Sequence, residues 1–123
     1  MIHNVTVTGG AGFIGSHMVR YLQHQGCRVT IVDNFRSGRH EFVPDGVTVY
    51  EGSILDTELL LRAFDGADWV VHLAANPDAR RGPERVWFDL EQNARGTATV
   101  LDAMRQVGSN RIVYASSASV YGN

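Results

Sequence analysis

Three glycines and one acid are the first residues in this 123-residue chain whose types and spacing suggest chemistry. Gly10-Ala-Gly12-Phe-Ile-Gly15 has the spacing with which a backbone cradles a diphosphate, and Asp33 follows Gly12 by about 20 residues, where a carboxylate can accept both hydroxyls of an adenosine ribose. Gly9 and Gly10 let the chain turn where a Cβ would obstruct it. Gly12 lets the main chain approach a pyrophosphate, and Gly15 permits close packing of a helix on a strand. A carboxylate at position 33 also repels a 2′-phosphate, which favours NAD over NADP. Arg36 and Arg39 stand close enough in sequence to counter that preference.

These residues need a strand before them, a helix after them and a second strand ending at the acid. Ile2, Val5 and Val7, among Thr6 and Thr8, supply the first strand, and the glycines break it. The helix begins near Gly12–Phe13, so its free N–H groups and positive dipole end face the phosphates, and it runs to about Gln25. Arg28–Val32 is the second strand and delivers Asp33. Asn34-Phe-Arg-Ser-Gly-Arg-His is a polar loop that either folds over the adenosine or simply connects. Val47–Glu51 alternates as strand three, and Ser53 and Ile54 at its carboxyl edge border the adenine if a ligand binds there.

Asp56 caps a short helix whose Leu60, Ala63 and Phe64 share one face, and Gly66 ends it. Asp68–Ala75 is an apolar fourth strand suited to a sheet covered on both faces. Ala74 and Ala75 leave room for a flat cofactor, and His72 reads as a structural hydrogen-bonder. Arg80, Arg81 and Arg85 cluster near the substrate side, as a solvated loop or as contacts for a phosphorylated substrate. The longest helix spans about Glu84 to Val107, with Leu90, Ala94, Thr97, Ala98, Leu101 and Met104 as its expected buried face. Asn93 lies next to that face, where a buried amide needs partners. It is expected to bind backbone at strand four and shape the nicotinamide pocket. Arg111–Ala115 is strand five and leads into Ser116-Ser-Ala-Ser-Val-Tyr-Gly. The expected fold is α/β, a Rossmann-type doubly wound parallel sheet of strand order 3-2-1-4-5, with residues 1–123 forming one nucleotide-binding domain.

Composition narrows the function classes. Hydrophobic content of 44%, charged content of 20% and a net charge of −2 are ordinary for a globular domain and offer no basic surplus for nucleic acid. No apolar run approaches membrane-spanning length, and strand one begins too early for a leader peptide, so no membrane association is expected. Cys27 is the only cysteine, and the five histidines lack ligand spacing. No disulfide and no metal site are expected, and a cytoplasmic location fits. All eleven basic residues are arginine; the chain contains no lysine.

Taken together, Thr8-Gly-Gly-Ala-Gly-Phe-Ile-Gly, Asp33-Asn34, His72-Leu-Ala-Ala, Asn93 with Gly96-Thr97, and Ser116-Ser-Ala-Ser-Val-Tyr-Gly resemble the N-terminal part of the extended short-chain dehydrogenase/reductases, the NAD-dependent epimerase/dehydratase family. The likeness is strongest to UDP-glucose 4-epimerase-like members and covers the whole chain.

That resemblance implies bound NAD, with Phe13 and Ile14 at the pyrophosphate turn and Asp33 and Asn34 at the ribose. Leu73, Ala74 and Ala75 would line the cofactor cleft and Asn93 support it. It implies that Ser117 is the catalytic hydroxyl, bonded to the sugar hydroxyl being oxidised in a nucleotide-sugar substrate, and that the intact protein is a homodimer. The family's Tyr-x-x-x-Lys pair and substrate domain do not lie within these residues, so the chain by itself is expected to be inactive. Ser53 stands where many members carry aspartate. Ala118 and Ser119 replace the Asp-Glu of dehydratases, which favours an epimerase, reductase or decarboxylase. The rival reading is a non-catalytic NAD(P)-binding module.

Overall fold

A computed structural model describes residues 2–78 and 83–122. Five strands form one sheet in the order β3-β2-β1-β4-β5, every pairing parallel. They are β1 (Asn4–Thr8), β2 (Arg28–Asp33), β3 (Thr48–Glu51), β4 (Trp69–His72) and β5 (Ile112–Tyr114). Helix α1 (Phe13–His24) joins β1 to β2, and α2 (Thr57–Phe64) joins β3 to β4. A continuous helical run of α3 (Val86–Asp89), a π-helical stretch (Leu90–Arg95) and α4 (Gly96–Val107) leads to β5. This is the doubly wound order expected from alternating strands and helices.

The alternation of β1 explains the two cores. Val5 and Val7 point to one face and pack with Val29, Ile31 and Val71 against Val19 of α1. Cys27 packs at the edge of that cluster, half-buried. Thr6 and Thr8 point to the other face, where the Thr6 hydroxyl donates to the Ala63 carbonyl at the end of α2. On that side Val32, Ile54, Leu60, Phe64 and Val70 meet Val100, Ala103 and Met104 of α4. Asp56 caps α2 by accepting from the Leu59 N–H at 3.1 Å.

The long helix departs from the expected face. Leu90 and Leu101 are 51% and 48% exposed, and Ala94 and Ala98 are exposed as well. Of the six residues expected inside, Met104 is buried and Thr97 half-buried. The buried residues are instead Gly96, Val100, Ala103 and Met104. Gly96 decides this: a Cβ there would lie 2.4 Å from Ile54 Cδ1, so the smallest side chain marks the face that meets the core. The π stretch adds a residue per turn and breaks the 3.6-residue phase on which the expectation rested. Among the described residues no helix is long and apolar enough to cross a membrane.

Candidate functional site

The carboxyl ends of β1, β2 and β4 converge on the turn Gly9–Gly12. Gly9 adopts φ +72°, and a Cβ there would meet the Ala74 amide at 2.8 Å, so the turn passes directly over the end of β4. Its N–H donates to the Val32 carbonyl, tying the turn to β2. Gly15 approaches still closer: a Cβ would lie 2.0 Å from the Gly9 carbonyl oxygen. Gly10 faces the Ile31 side chain. Gly12 is different. A Cβ there would meet only the Gly9 oxygen, at 3.3 Å, so its missing side chain leaves space that the protein does not fill.

Gly12 is also the N-cap of α1, with no side chain capping it. The Gly12 N–H donates to Gly9 and the Ser16 N–H to Gly12, so the Phe13, Ile14 and Gly15 amides between them have no intrahelical acceptor. Three amides at a helix's positive end, next to a bare Cα, form an anion seat. Phe13 and Ile14 extend from it, 74% and 67% exposed.

Asp33 is buried, with its carboxylate held at both ends. Oδ2 accepts from the Ala11 N–H at 3.0 Å and Oδ1 from the Phe35 N–H at 2.8 Å. Each oxygen keeps further acceptor capacity. The Arg39 N–H returns to the Ala11 carbonyl, folding the 34–39 loop against the glycine turn. Arg36 and Arg39 have partners of their own: Arg36 lies 4.3 Å over the Phe88 ring, and Arg39 meets Glu41 at 3.3 Å.

A cavity of about 420 Å³ opens here, lined by Gly9, Gly12, Phe13, Ile14, Gly15, Asp33, Asn34, Ile54, Leu73, Ala74 and Ala75. Ser37, Gly38 and Gln92 line it too, without a sequence signal beyond their neighbourhood. Gly10 and Ser53 are not in its wall; the Ser53 hydroxyl oxygen accepts from the Leu55 N–H, and Gly10 packs on β2. A second cavity, about 580 Å³, shares Ile14, Leu73, Ala74 and Ala75 with the first and continues it past β4 to β5. Its wall includes His72, Asn76, Asp89, Asn93, Tyr114 and Ser117.

Asn93 is exposed rather than buried, but its Oδ1 accepts from the Asn76 N–H at 2.8 Å, just beyond β4. Ser117 Oγ accepts from the Ser119 N–H at 3.2 Å and opens a short 3₁₀ turn. Arg85 is exposed at the start of α3; Arg80 and Arg81 lie outside the described residues.

His72 forms the floor between these parts. Thr8 Oγ1 accepts from the Leu73 and Ala74 N–H groups, so its proton goes to His72 Nδ1, 2.6 Å away. Nε2 then carries the ring proton and donates to Thr97 Oγ1 at 3.0 Å, and the Thr97 hydroxyl donates to the Asn93 carbonyl. Burial lowers the His72 pKa from 6.5 to about 4, holding the ring neutral. Among the described residues no group of histidines, cysteines and acids could hold a metal ion.

The sequence profile of the NAD dependent epimerase/dehydratase family matches residues 5–123. The chain belongs to that family. The UDP-glucose 4-epimerase of Streptomyces lividans is 36% identical over 122 residues, covering 94% of this chain and 36% of the relative. The UDP-N-acetyl-alpha-D-glucosaminuronate decarboxylase of Bacillus cytotoxicus is 38% identical over 119 residues, covering 94% and 37%.

Among solved family structures, the UDP-glucose 4-epimerase from Brucella ovis in complex with NAD superposes with a TM-score of 0.92 at 33% identity, over 98% of this chain and 38% of that one. The Thermus thermophilus UDP-glucose 4-epimerase in complex with NAD gives 0.87 at 39% identity, over 93% and 37%. The chain thus spans little more than a third of the length of these family members. The family is NAD-dependent, and the anion seat, the fixed Asp33 carboxylate and the elongated cleft fit that cofactor.

Proposed function

We propose that this chain is the dinucleotide-binding domain, residues 1–123, of an NAD-dependent nucleotide-sugar epimerase of the UDP-glucose 4-epimerase type. The observation that carries it is the anion seat: three amides without helical acceptors next to an unfilled Gly12 Cα, at one end of a cleft that runs on to Ser117. In this reading Gly9, Gly10 and Gly15 shape the seat, and Phe13 and Ile14 present its amides to the diphosphate. Asp33 and Asn34 accept the ribose hydroxyls. Ile54 borders the adenine, with Ser53 supporting that loop. Leu73, Ala74 and Ala75 lie along the cofactor, and Asn93 holds the loop that carries them.

Bound NAD supplies a reversible hydride acceptor. Ser117 hydrogen-bonds the sugar hydroxyl whose carbon gives up the hydride, and Ala118 and Ser119 offer no acid–base pair for eliminating water. The chain has no lysine to lower a tyrosine pKa, so proton abstraction is assigned to residues outside these 123. A homodimer of a longer polypeptide in the cytoplasm completes the reading. The match to a decarboxylase, as high as those to epimerases, supports a second outcome on the same site. That alternative is oxidation followed by loss of CO₂ from a nucleotide-linked uronic acid.

Calorimetry with NAD tests the cofactor assignment, and an absence of heat and of competition by ADP-ribose refutes it. A coupled assay with UDP-galactose tests the division of labour. The expected result is NAD binding without turnover by the purified chain, and measurable turnover would overturn the placement of the base elsewhere. UDP-glucose formation from UDP-galactose by a longer polypeptide supports the epimerase, whereas CO₂ release from a UDP-uronic acid supports the alternative.

A further inference from the structure

The helical arm 86–95 lacks what normally holds a helix in place. Neither α3 nor the π stretch contains a buried residue, and Val86, Trp87 and Leu90 are each more than half exposed. Helices in folded proteins are kept mainly by burial of one face. This arm is tied instead at the two rims of the cleft. On the β2 rim the Arg36 guanidinium lies 4.3 Å from the Phe88 ring centroid. On the β4 rim the Asp89 carboxylate accepts from the Asn76 side-chain amide, and Asn93 accepts from the Asn76 backbone.

The positions of these ties matter. Arg36 stands between Asn34 and Ser37, both in the wall of the first cavity. One turn beyond Phe88, Gln92 lines that same cavity, while Asp89 and Asn93 line the second. The arm therefore crosses the cleft, tied on each side of it. The contacts are a cation–π pair between exposed Arg36 and the half-buried Phe88 ring, a charge-assisted hydrogen bond from Asn76 to Asp89 and a neutral one from the Asn76 backbone to Asn93, and no packed core must be rearranged to undo them. The π stretch joins the arm to α4, a placement such stretches favour at functional sites.

We propose that Phe88 and Asp89 are the two halves of a latch that holds the 86–95 arm across the cleft and sets how fast a bound dinucleotide leaves. Both are positioning residues: Phe88 acts through Arg36 and the β2 loop, Asp89 through Asn76 and the β4 loop. The retention role rests on the cleft being the NAD site.

The test combines stopped-flow NAD dissociation with amide hydrogen exchange on the chain, using Phe88→Leu, Asp89→Ala and Asp89→Asn. Phe88→Leu keeps the apolar bulk without the ring face and is expected to raise the dissociation rate about 3-fold. Asp89→Ala is expected to raise it about 10-fold, with Asp89→Asn, which still offers Asn76 an acceptor, returning close to wild type. In the free protein, amides 86–95 should exchange faster in Phe88→Leu and Asp89→Ala while those of β1 and α1 do not change. If the wild type holds NAD and both variants release it at the wild-type rate, the latch is overturned and the cofactor assignment stands. If the wild type binds no NAD, the functional reading falls and the retention role falls with it.

Discussion

Buried His72 makes the stability of this chain depend on mild acid. The residue is 2% exposed and its pKa is lowered from 6.5 to about 4 by burial. The Thr8 hydroxyl adds to that resistance, because both its lone pairs already take the Leu73 and Ala74 amides and cannot accept a proton from Nδ1. Between about pH 6.5 and pH 4 the unfolded chain binds a proton at His72 that the folded chain refuses. The stabilisation is complete above pH 6.5 and is lost progressively as the pH falls to about 4. Below that, both states are protonated and no further loss comes from this group.

At 1.36 kcal/mol per pKa unit, the full swing is about 3 kcal/mol, against a typical stability of roughly 5–15 kcal/mol for a domain. Urea titrations followed by circular dichroism at steps from pH 7.5 to 4 measure it, with His72→Gln as the reference. Glutamine keeps a donor and an acceptor but does not titrate, so the other ionisable groups cancel between the two curves. The wild type should lose about 3 kcal/mol more than the variant over that interval. Parallel curves, or an imidazole that titrates near 6.5 by NMR in the folded protein, would refute the assignment of a neutral, Nε2-protonated ring.

The glycines make contrasting predictions. Gly12→Val meets only the Gly9 oxygen, at 3.3 Å, and gives up a favourable N-cap residue, so unfolding free energy should fall by about 1–2 kcal/mol while calorimetric NAD binding disappears. Unchanged NAD affinity in that folded variant would move the diphosphate elsewhere. Gly15→Ala drives a Cβ to 2.0 Å from the Gly9 oxygen and should cost about 3 kcal/mol in a denaturant titration; a loss below about 1 would contradict so close an approach. Asp33→Ala orphans the Ala11 and Phe35 amides and should cost about 2–4 kcal/mol. It should also narrow the gap between NAD and NADP affinities, and an unaltered ratio would place ribose recognition on other residues.

Strand order, the helix cap at Asp56 and the α2 core of Leu60, Ala63 and Phe64 were legible because each rests on local chemistry: alternation, a capping side chain, one helical face. The glycine turn was legible for the same reason. The long helix was not, because it carries apolar residues on two faces and periodicity cannot say which one the sheet will cover. The informative residue was Gly96, whose smallness lets Ile54 approach, and a hydrophobicity pattern gives glycine no weight. Asn93 was found as a bonded amide, but its exposed position depends on the π stretch, which no residue type announces. By sequence Arg36 stands only as a counter to the NAD preference; its pairing with Phe88 joins residues 52 positions apart (88 minus 36) and could come only from the fold.

The place of β1 in the sheet has a consequence for biosynthesis. It leaves the ribosome before the other four strands, yet it lies in the middle, with β2 on one side and β4 on the other. Its outer partner in β4 stands 64 residues downstream, at the Thr8–His72 pair. At about 5–20 residues per second, one sticky valine-rich edge stays bare for several seconds of translation even after β2 has docked. During that interval the nascent chain is a substrate for holding chaperones, and slower elongation between β2 and β4 lengthens its exposure to misassembly.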